Sequence, residues 1–334
     1  MIDQYNRNIN YMRVALTDRC NLRCSYCMPA KGIVLAPKEE LLSFEEMLLM
    51  IQAGVNLGVN KFRFTGGEPF VRKDIMSFFE SVSKIDGIDS WHITTNGVLL
   101  SPYIDRLEQL GLSSVNLSLD TLKKDKFEQI SRRNYFDQVM ASLDHLLASD
   151  ITVKLNMVVM SDFNADEIKD FAELSRLNKL HVRFIEEMPF NGGSLRASKK
   201  PWSADQIKQT LKKEFPEIES SGRILSGTSD DFKLKNSKGS IGVIPAFSRT
   251  ICNDCNRIRI SAKGELKNCL YDGGIFDFRT LLRDQNLDTE FKLKKIEGQL
   301  SRLVWQKKKD GFEAEDSIKK IDSKHFQSMS HIGG

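Results

Sequence analysis

Short runs rich in β-branched and aromatic residues recur along the first two thirds of the chain, and amphipathic stretches separate them. The runs predict six strands, at 12–17, 61–66, 91–96, 114–119, 152–159 and 179–185. The stretch at 41–58 begins with a capping-box pattern, Ser43 followed by Glu46, and continues with apolar residues at helical spacing. Further helices are predicted over 73–85, 102–111, 135–149 and 166–177.

A β–α order repeated about six times predicts an α/β fold with a parallel sheet. Six units are too few for an eight-stranded barrel, so we expect a partial (open) β6α6 TIM-like barrel, with a doubly wound sheet as the second choice. In both folds the chemistry belongs at the C-terminal ends of the strands. Those ends are polar or glycine-rich here and read TDRC, TGGEP, TTNG, SLDT and EEMP.

The pattern changes near residue 190, which predicts a core over 1–190 and a C-terminal α+β extension over 191–334. Within the extension we predict a hairpin over 230–248 and helices over 274–283 and 291–310. The lysine-rich stretch WQKKKDG at 305–311 is expected to be a solvated helix end rather than a nucleic-acid patch.

Composition narrows the class of protein. The 334 residues are 40% apolar and carry a net charge of +4, which is too weak to indicate nucleic acid and is compatible with a small anionic substrate. The first residues lack the apolar segment of a signal peptide, and no run is long enough to cross a membrane. We therefore expect a cytoplasmic protein with reduced thiols.

Six cysteines form two triplets, Cys20, Cys24, Cys27 and Cys252, Cys255, Cys269. Three disulfides would account for them, but a large chain in a reducing compartment does not need such cross-links. Thiolates suit zinc or iron–sulfur clusters, and the five histidines include none near residues 20–27 to complete a zinc site. Three thiolates on a 4Fe–4S cube would leave one iron open to another ligand.

The C-x3-C-x2-C spacing after the first strand, with Tyr26 before Cys27, resembles the radical S-adenosylmethionine superfamily, as does TGGEP at 65–69. The resemblance implies that the open iron holds S-adenosylmethionine and that its cleavage gives a deoxyadenosyl radical. Gly66 and Gly67 would let the backbone approach the ligand, with their amide and carbonyl groups bonding the methionine ammonium, while Glu68 bonds the ammonium or orients the loop. The implied cofactor contacts are Tyr26, Gly67, Glu68, Ser118 and Met188.

The second triplet reads C-x2-C, then thirteen residues, then C. A zinc ribbon would repeat C-x2-C, so a second open-iron cluster that binds substrate is the consistent interpretation. Arg257 and Arg259 alternate on one strand face beside it, and arginine forks suit phosphate oxygens.

Within the superfamily, both triplets together with FRFTGGEP, RFIEEMP, CNRIRIS and the terminal Gly-Gly resemble the family that starts molybdenum cofactor biosynthesis from GTP. The resemblance implies that the radical removes the 3′ hydrogen of GTP and that the carbon radical adds to guanine C8, while the second cluster holds the guanine. It implies GTP contacts at Arg13, Arg63, Thr94, Lys154, Arg257 and Arg259. It assigns catalysis to Arg257, Arg259, Gly333 and Gly334.

The same resemblance implies partners: a downstream cyclic pyranopterin monophosphate synthase and an electron donor such as flavodoxin or ferredoxin. We expect a monomer or homodimer that binds neither nucleic acid nor membrane. Gly333 and Gly334 either form a disordered terminus or thread into the active site. Two rivals stay open: another radical enzyme with an auxiliary cluster, such as a peptide-maturing one, and a zinc-stabilised binding module.

Overall fold

The computed structural model of the chain describes residues 1–188 and 201–319, with side chains up to residue 317. The chain forms two compact units, each built from separate segments. The first unit contains 1–21, 34–93 and the residues from 252 onward, and the second contains 22–33 and 94–251. The predicted boundary at residue 190 falls outside the described residues and stays a prediction.

The strands are β1 (Tyr11–Ala15), β2 (Lys61–Thr65), β3 (Ser90–Thr95), β4 (Ser114–Ser118), β5 (Thr152–Val159), β6 (Leu180–Glu186), β7 (Glu219–Gly222), β8 (Asp230–Lys233), β9 (Ser240–Ile244), β10 (Arg257–Ile260), β11 (Glu265–Lys267) and β12 (Phe276–Asp277). The helices are α1 (Phe44–Asn56), α2 (Ile75–Val82), α3 (Ile104–Gln109), α4 (Lys124–Ser131), α5 (Phe136–Ala148), α6 (Ile168–Leu177), α7 (Ala204–Glu214), α8 (Arg279–Leu282), α9 (Thr289–Trp305) and α10 (Gly311–Lys319).

The sheet of the first unit has the order β12-β11-β10-β1-β2-β3. Strand β1 lies between β2 and β10 and is parallel to both, so Arg13 is in register with Arg63 on one side and with Arg259 on the other. Strand β11 is antiparallel to both of its neighbours, β10 and β12.

The second unit has the order β4-β5-β6-β9-β8-β7. Strands β4, β5, β6 and β9 are mutually parallel. The predicted hairpin is confirmed as the antiparallel pair β8 and β9, and β7 adds to it as an antiparallel edge.

The packed face of the first unit comes from the alternation of its strands. In β2, Phe62 and Phe64 are fully buried, and the ring of Phe64 lies 5.3 Å from Phe78 and 5.6 Å from Phe79 of α2. Burial of each such side chain contributes about 1.5–3 kcal/mol. Since neighbouring residues of a strand point to opposite faces, the other face of β2 carries Lys61, Arg63 and Thr65.

The six predicted strands are confirmed, and so is the capping box, in which Ser43 and Glu46 each accept a hydrogen bond from the other's backbone amide. The predicted helix over 274–283 is wrong in its first half, because Phe276 pairs with Leu266 as strand β12 and the helix covers only Arg279–Leu282. The predicted helix over 291–310 ends at Trp305, and α4 was missed. Among the described helices, none has the length and apolarity needed to cross a bilayer.

Candidate cofactor and substrate site

A row of basic side chains crosses the sheet of the first unit. Lys267, Arg259, Arg13, Arg63 and His92 occupy paired positions on β11, β10, β1, β2 and β3. The adjacent row on the same face holds Arg257, Tyr11 and Lys61. Residues paired across a sheet share a face, so the sequence-predicted residues Arg13, Arg63, Arg257 and Arg259 come together, as expected.

The charges in this row repel one another. Burial, followed by repulsion from Arg259, lowers the pKa of Arg13 well below its ordinary value. Burial raises the pKa of Tyr11, but Arg63 and Arg13 lower it more, to about 8. The Nε of Arg63 donates to the Tyr11 hydroxyl at 2.6 Å. A buried set of like charges is costly unless an anion joins it, so the row is suited to a ligand with several negative charges.

The second cysteine triplet lies in the same unit as the basic row. The amide of Cys255 donates to the carbonyl of Cys252 at 3.2 Å, and the amide of Cys269 donates to Asp272 Oδ2 at 2.7 Å. Burial raises the pKa of Cys255, but the charges of Lys307 and Arg257, with a hydrogen bond from Arg257, lower it to about 6. The thiolate form of Cys255 is therefore favoured near neutral pH, whereas burial raises the pKa of Cys252 and of Cys269.

The first triplet is divided between the units: Cys20 belongs to the first, and Cys24 and Cys27 belong to the second. The amides of Cys27 and Met28 both donate to the carbonyl of Cys24, at 2.9 and 3.0 Å, which forms a tight turn. Tyr26 lies within this turn and donates its hydroxyl to Asp120 Oδ2 at 2.9 Å. Asp120 comes two residues after Ser118, the last residue of β4.

The TGGEP loop packs closely against the backbone of residues 17–19. This packing, rather than the predicted approach of a ligand, explains why positions 66 and 67 are glycines. A Cβ on Gly67 would lie 2.2 Å from the carbonyl oxygen of Arg19, and one on Gly66 would lie 2.3 Å from that of Thr17. The amides of Gly67 and Glu68 donate to those same carbonyls, of Thr17 and Arg19, at 2.8 Å each. An ammonium has only donors, so among the main-chain groups of this loop only the carbonyls, and not the predicted amides, suit it.

Glu68 is fully buried and accepts a hydrogen bond from the Phe70 amide at 3.2 Å. This bond favours the loop-orienting role among the two that the sequence left open. The role of Glu68 toward a methionine ammonium stays a prediction.

In the second unit, polar residues share one face of three parallel strands. Asn116 is in register with Lys154, Ser118 with Asn156, and Asn156 with Arg183. The Oδ1 atoms of Asn116 and Asn156 are buried without a hydrogen-bond partner among the described residues. This face thus brings the predicted Ser118 and Lys154 together with acceptors still available to a ligand.

Four predicted residues remain. Thr94 lies near the end of β3 and has a buried hydroxyl without a hydrogen-bond partner in the described part of the chain. Met188 is half-buried two residues after β6 ends. Gly333 and Gly334 lie outside the described residues, so their catalytic role stays a prediction.

Sequence reasoning missed Lys61, Lys267, Asn116 and Asn156. Lys61 lies two residues before Arg63 on β2, and Asn156 lies two residues after Lys154 on β5. Side chains two residues apart on a strand share a face, so alternation along the two strands predicts both. The pairing of Lys267 with Arg259 depends on the β10–β11 register, which the sequence pattern does not give.

The donor chemistry fits two iron–sulfur clusters. All six cysteines are thiols, and in the second triplet the nearby cations Lys307 and Arg257 favour the thiolate of Cys255. Within residues 1–188 and 201–319, no three Cys, His, Asp or Glu side chains are prearranged around a point as metal ligands. The cysteines are thus chemically suited to iron, and full ligand geometry is left to cluster assembly.

Known proteins share both the sequence and the fold. A family model described as Radical SAM superfamily matches residues 14–175, and one described as Molybdenum Cofactor Synthesis C matches residues 180–313. The chain is 43% identical over 286 residues to GTP 3′,8-cyclase of Desulforamulus reducens, covering 85% of this chain and 88% of that protein. It is 38% identical over 336 residues to GTP 3′,8-cyclase of Alkaliphilus oremlandii, covering 100% of both. The chain belongs to the GTP 3′,8-cyclase family.

A solved structure supports the fold of this GTP 3′,8-cyclase family member. The crystal structure of Streptococcus suis SuiB bound to S-adenosylmethionine is similar with a TM-score of 0.61 at 12% identity, covering 96% of this chain and 69% of that chain. Together with the family match, it confirms the α/β partial barrel with a C-terminal extension. Membership of the GTP 3′,8-cyclase family also confirms a radical enzyme of molybdenum cofactor biosynthesis with S-adenosylmethionine and two 4Fe–4S clusters.

The bond from Tyr26 to Asp120 predicts a pH dependence of stability. Burial raises the pKa of Asp120 to about 6, although hydrogen bonds from the Val158 amide and Tyr26 oppose the rise. The folded chain then binds this proton more tightly than the unfolded chain, so Asp120 stabilises the fold at low pH, and this contribution is lost as the pH rises through about 6.

Between about pH 5 and about pH 7.5, wild type should therefore lose about 1 kcal/mol of unfolding free energy more than Asp120→Asn. Anaerobic urea titrations of the cluster-loaded proteins measure the difference, with Asp144→Asn on the exposed side of α5 as a control that follows wild type. Equal pH slopes for wild type and Asp120→Asn would show that the buried carboxyl does not titrate in this range.

Proposed function

We propose that this chain is itself a GTP 3′,8-cyclase that converts GTP to 3′,8-cyclo-7,8-dihydro-GTP. The observation that carries the proposal is the in-register row of Arg259, Arg13 and Arg63 in the same unit as the second cysteine triplet. A triphosphate supplies the several negative charges that the row needs, and arginine binds phosphate oxygens in pairs.

The bound clusters and S-adenosylmethionine would supply the deoxyadenosyl radical that removes the 3′ hydrogen of GTP. The ribose carbon then bonds to guanine C8, and the adduct takes up one electron and one proton to give the dihydro product. Residues of this chain hold the substrate for that step. We assign the triphosphate to Arg13, Arg63, Arg257 and Arg259 on the first unit.

The remaining assignments extend this proposal. Cys20, Cys24 and Cys27 would bind the first cluster, and Cys252, Cys255 and Cys269 the second. Tyr26, Gly67, Glu68, Ser118 and Met188 would contact S-adenosylmethionine. Thr94 and Lys154 would contact GTP, and Gly333 and Gly334 would enter the active site.

We further propose that residues 1–190 form the radical-generating core, which also supplies some of the GTP contacts, and that 191–334 form the auxiliary-cluster and substrate-binding region. The protein would work in the cytoplasm, receive electrons from a flavodoxin or ferredoxin, and pass its product to a cyclic pyranopterin monophosphate synthase. The low net charge of +4 is consistent with a small-molecule substrate rather than nucleic acid.

The direct test measures deoxyadenosine formation by the anaerobically reconstituted protein with dithionite and S-adenosylmethionine. GTP should stimulate it strongly, and ATP, a matched triphosphate with the wrong base, should not. One deoxyadenosine should form for each dihydro product. Deoxyadenosine formation that is equal with and without GTP would favour a different radical enzyme, such as a peptide-maturing one.

A further inference from the structure

Lys307 is buried, although the stretch WQKKKDG was expected to be a solvated helix end. It follows the end of α9, and only 3% of the residue is exposed. Its ammonium donates to the carbonyl of Arg257 at 2.9 Å and also to the carbonyl of Asn268. These carbonyls are close in sequence to Cys255 and Cys269, so one cation joins two cysteine loops.

Arg7 makes the corresponding contacts to the third cysteine loop. The residue is 8% exposed, and its Nη1 donates to the carbonyl of Cys252 at 3.1 Å and to that of Lys309 at 2.7 Å. Its Nη2 donates to the carbonyl of Lys308 at 2.6 Å. Asp3 holds the guanidinium through an Nε contact of 2.6 Å.

The segment 307–309 therefore connects all three loops. The side chain of Lys307 donates to carbonyls in the loops of Cys255 and Cys269. The carbonyls of Lys308 and Lys309 accept hydrogen bonds from Arg7, which also donates to the carbonyl of Cys252. The acceptors of these hydrogen bonds are all main-chain carbonyls. The bonds therefore hold the backbone of the cysteine loops in place, and not the rotamer of a single side chain.

Burying an ammonium costs several kcal/mol unless it is compensated. Among the described residues Lys307 forms no ion pair, and its hydrogen bonds go to carbonyls alone. Its charge acts on the carboxyl of Asp272, where burial raises the pKa and the charges of Lys267 and Lys307 oppose the rise. A neutral side chain of similar size at this position would avoid the desolvation cost of a buried charge. A lysine at this buried position is explained if an anionic group is held nearby, as three thiolates around a cluster would be.

We propose that Arg7 and Lys307 form a two-cation clamp that positions Cys252, Cys255 and Cys269 for the second cluster. The clamp rests on the second cluster of the proposed function. Its two members are positioning residues, since they act on the loops and not on GTP. The described contacts of both residues include none to residues 20–27, so the clamp should act on the second cluster alone.

Iron content tests the clamp without relying on cyclisation. Reconstituted wild type should hold about eight irons per chain, and Lys307→Met, which keeps the length and removes the charge, should hold about four. The matched control is Lys308→Met, since the Lys308 side chain is 44% exposed and only its carbonyl enters the clamp. It should hold about eight.

Electron paramagnetic resonance identifies which cluster is lost. In reduced Lys307→Met, the remaining signal should still change when S-adenosylmethionine is added, which shows an intact first cluster and a folded chain. In a background with Cys20, Cys24 and Cys27 changed to alanine, Lys307→Met should lower iron from about four to near zero.

Each outcome decides the question. Full iron content in Lys307→Met would overturn the clamp, and so would equal loss of both clusters, which would show a general structural role. A wild-type protein that holds two clusters but does not act on GTP would refute the proposed function and leave the clamp standing.

Discussion

Replacing Arg259 by leucine should lower kcat/KM for GTP by at least about 30-fold. Arg259 is 7% exposed and lies in register with Arg13, the central residue of the basic row. Removing one partner of a buried charge-assisted contact costs about 2–5 kcal/mol, and each 1.4 kcal/mol is about tenfold. Initial rates of dihydro product formation at varied GTP concentration measure the loss.

Arg302→Leu is the matched control, because Arg302 is exposed on α9. It should keep the wild-type kcat/KM. Arg259→Leu should also keep its first cluster, shown by an unchanged spectroscopic response to S-adenosylmethionine. Near-wild-type cyclisation by Arg259→Leu would mean that the triphosphate lies elsewhere.

Replacing Cys24 by alanine should reduce deoxyadenosine formation to background and halve the iron to about four per chain. The physical reason is that two thiolates leave two irons of the first cube without a protein ligand, so the cube is not retained and cannot supply the deoxyadenosyl radical. Chromatography of deoxyadenosine and colorimetric iron analysis of the same anaerobic sample give both results.

Cys269→Ala provides the complementary case. It should also hold about four irons, but its remaining cluster should still bind S-adenosylmethionine, and cyclisation of GTP should be lost. If Cys24→Ala still cleaved S-adenosylmethionine while Cys269→Ala did not, the assignment of the two triplets would be reversed.

Local patterns predicted the parallel strands and α1 because each depends on neighbours in sequence. The alternation of buried and less buried side chains in β5 and the capping box at Ser43 each involve residues only a few positions apart. The pattern for 274–283 failed at Phe276, where pairing with β11 outweighs local helix preference.

The cysteine spacings and the Arg257–Arg259 alternation pointed to the site because both are short-range signals. The clamp was not predictable in the same way. Lys307 looks like any lysine after an amphipathic helix, and only contacts with residues 39 and 50 positions earlier bury it. Arg7 likewise reaches a carbonyl 245 residues away.

The placement of β1 between β2 and β10 has a consequence for synthesis on the ribosome. Strand β1 gains its β2 partner early, but its other partner, β10, is synthesised only after residues 94–251, and the side chains of Asn10 and Asn256 that bond beside it are 246 residues apart. Until then an apolar strand edge is open to wrong partners. Such distant pairing slows folding, so the nascent chain should depend on chaperones, and the second cluster can assemble only after Cys269 has left the ribosome.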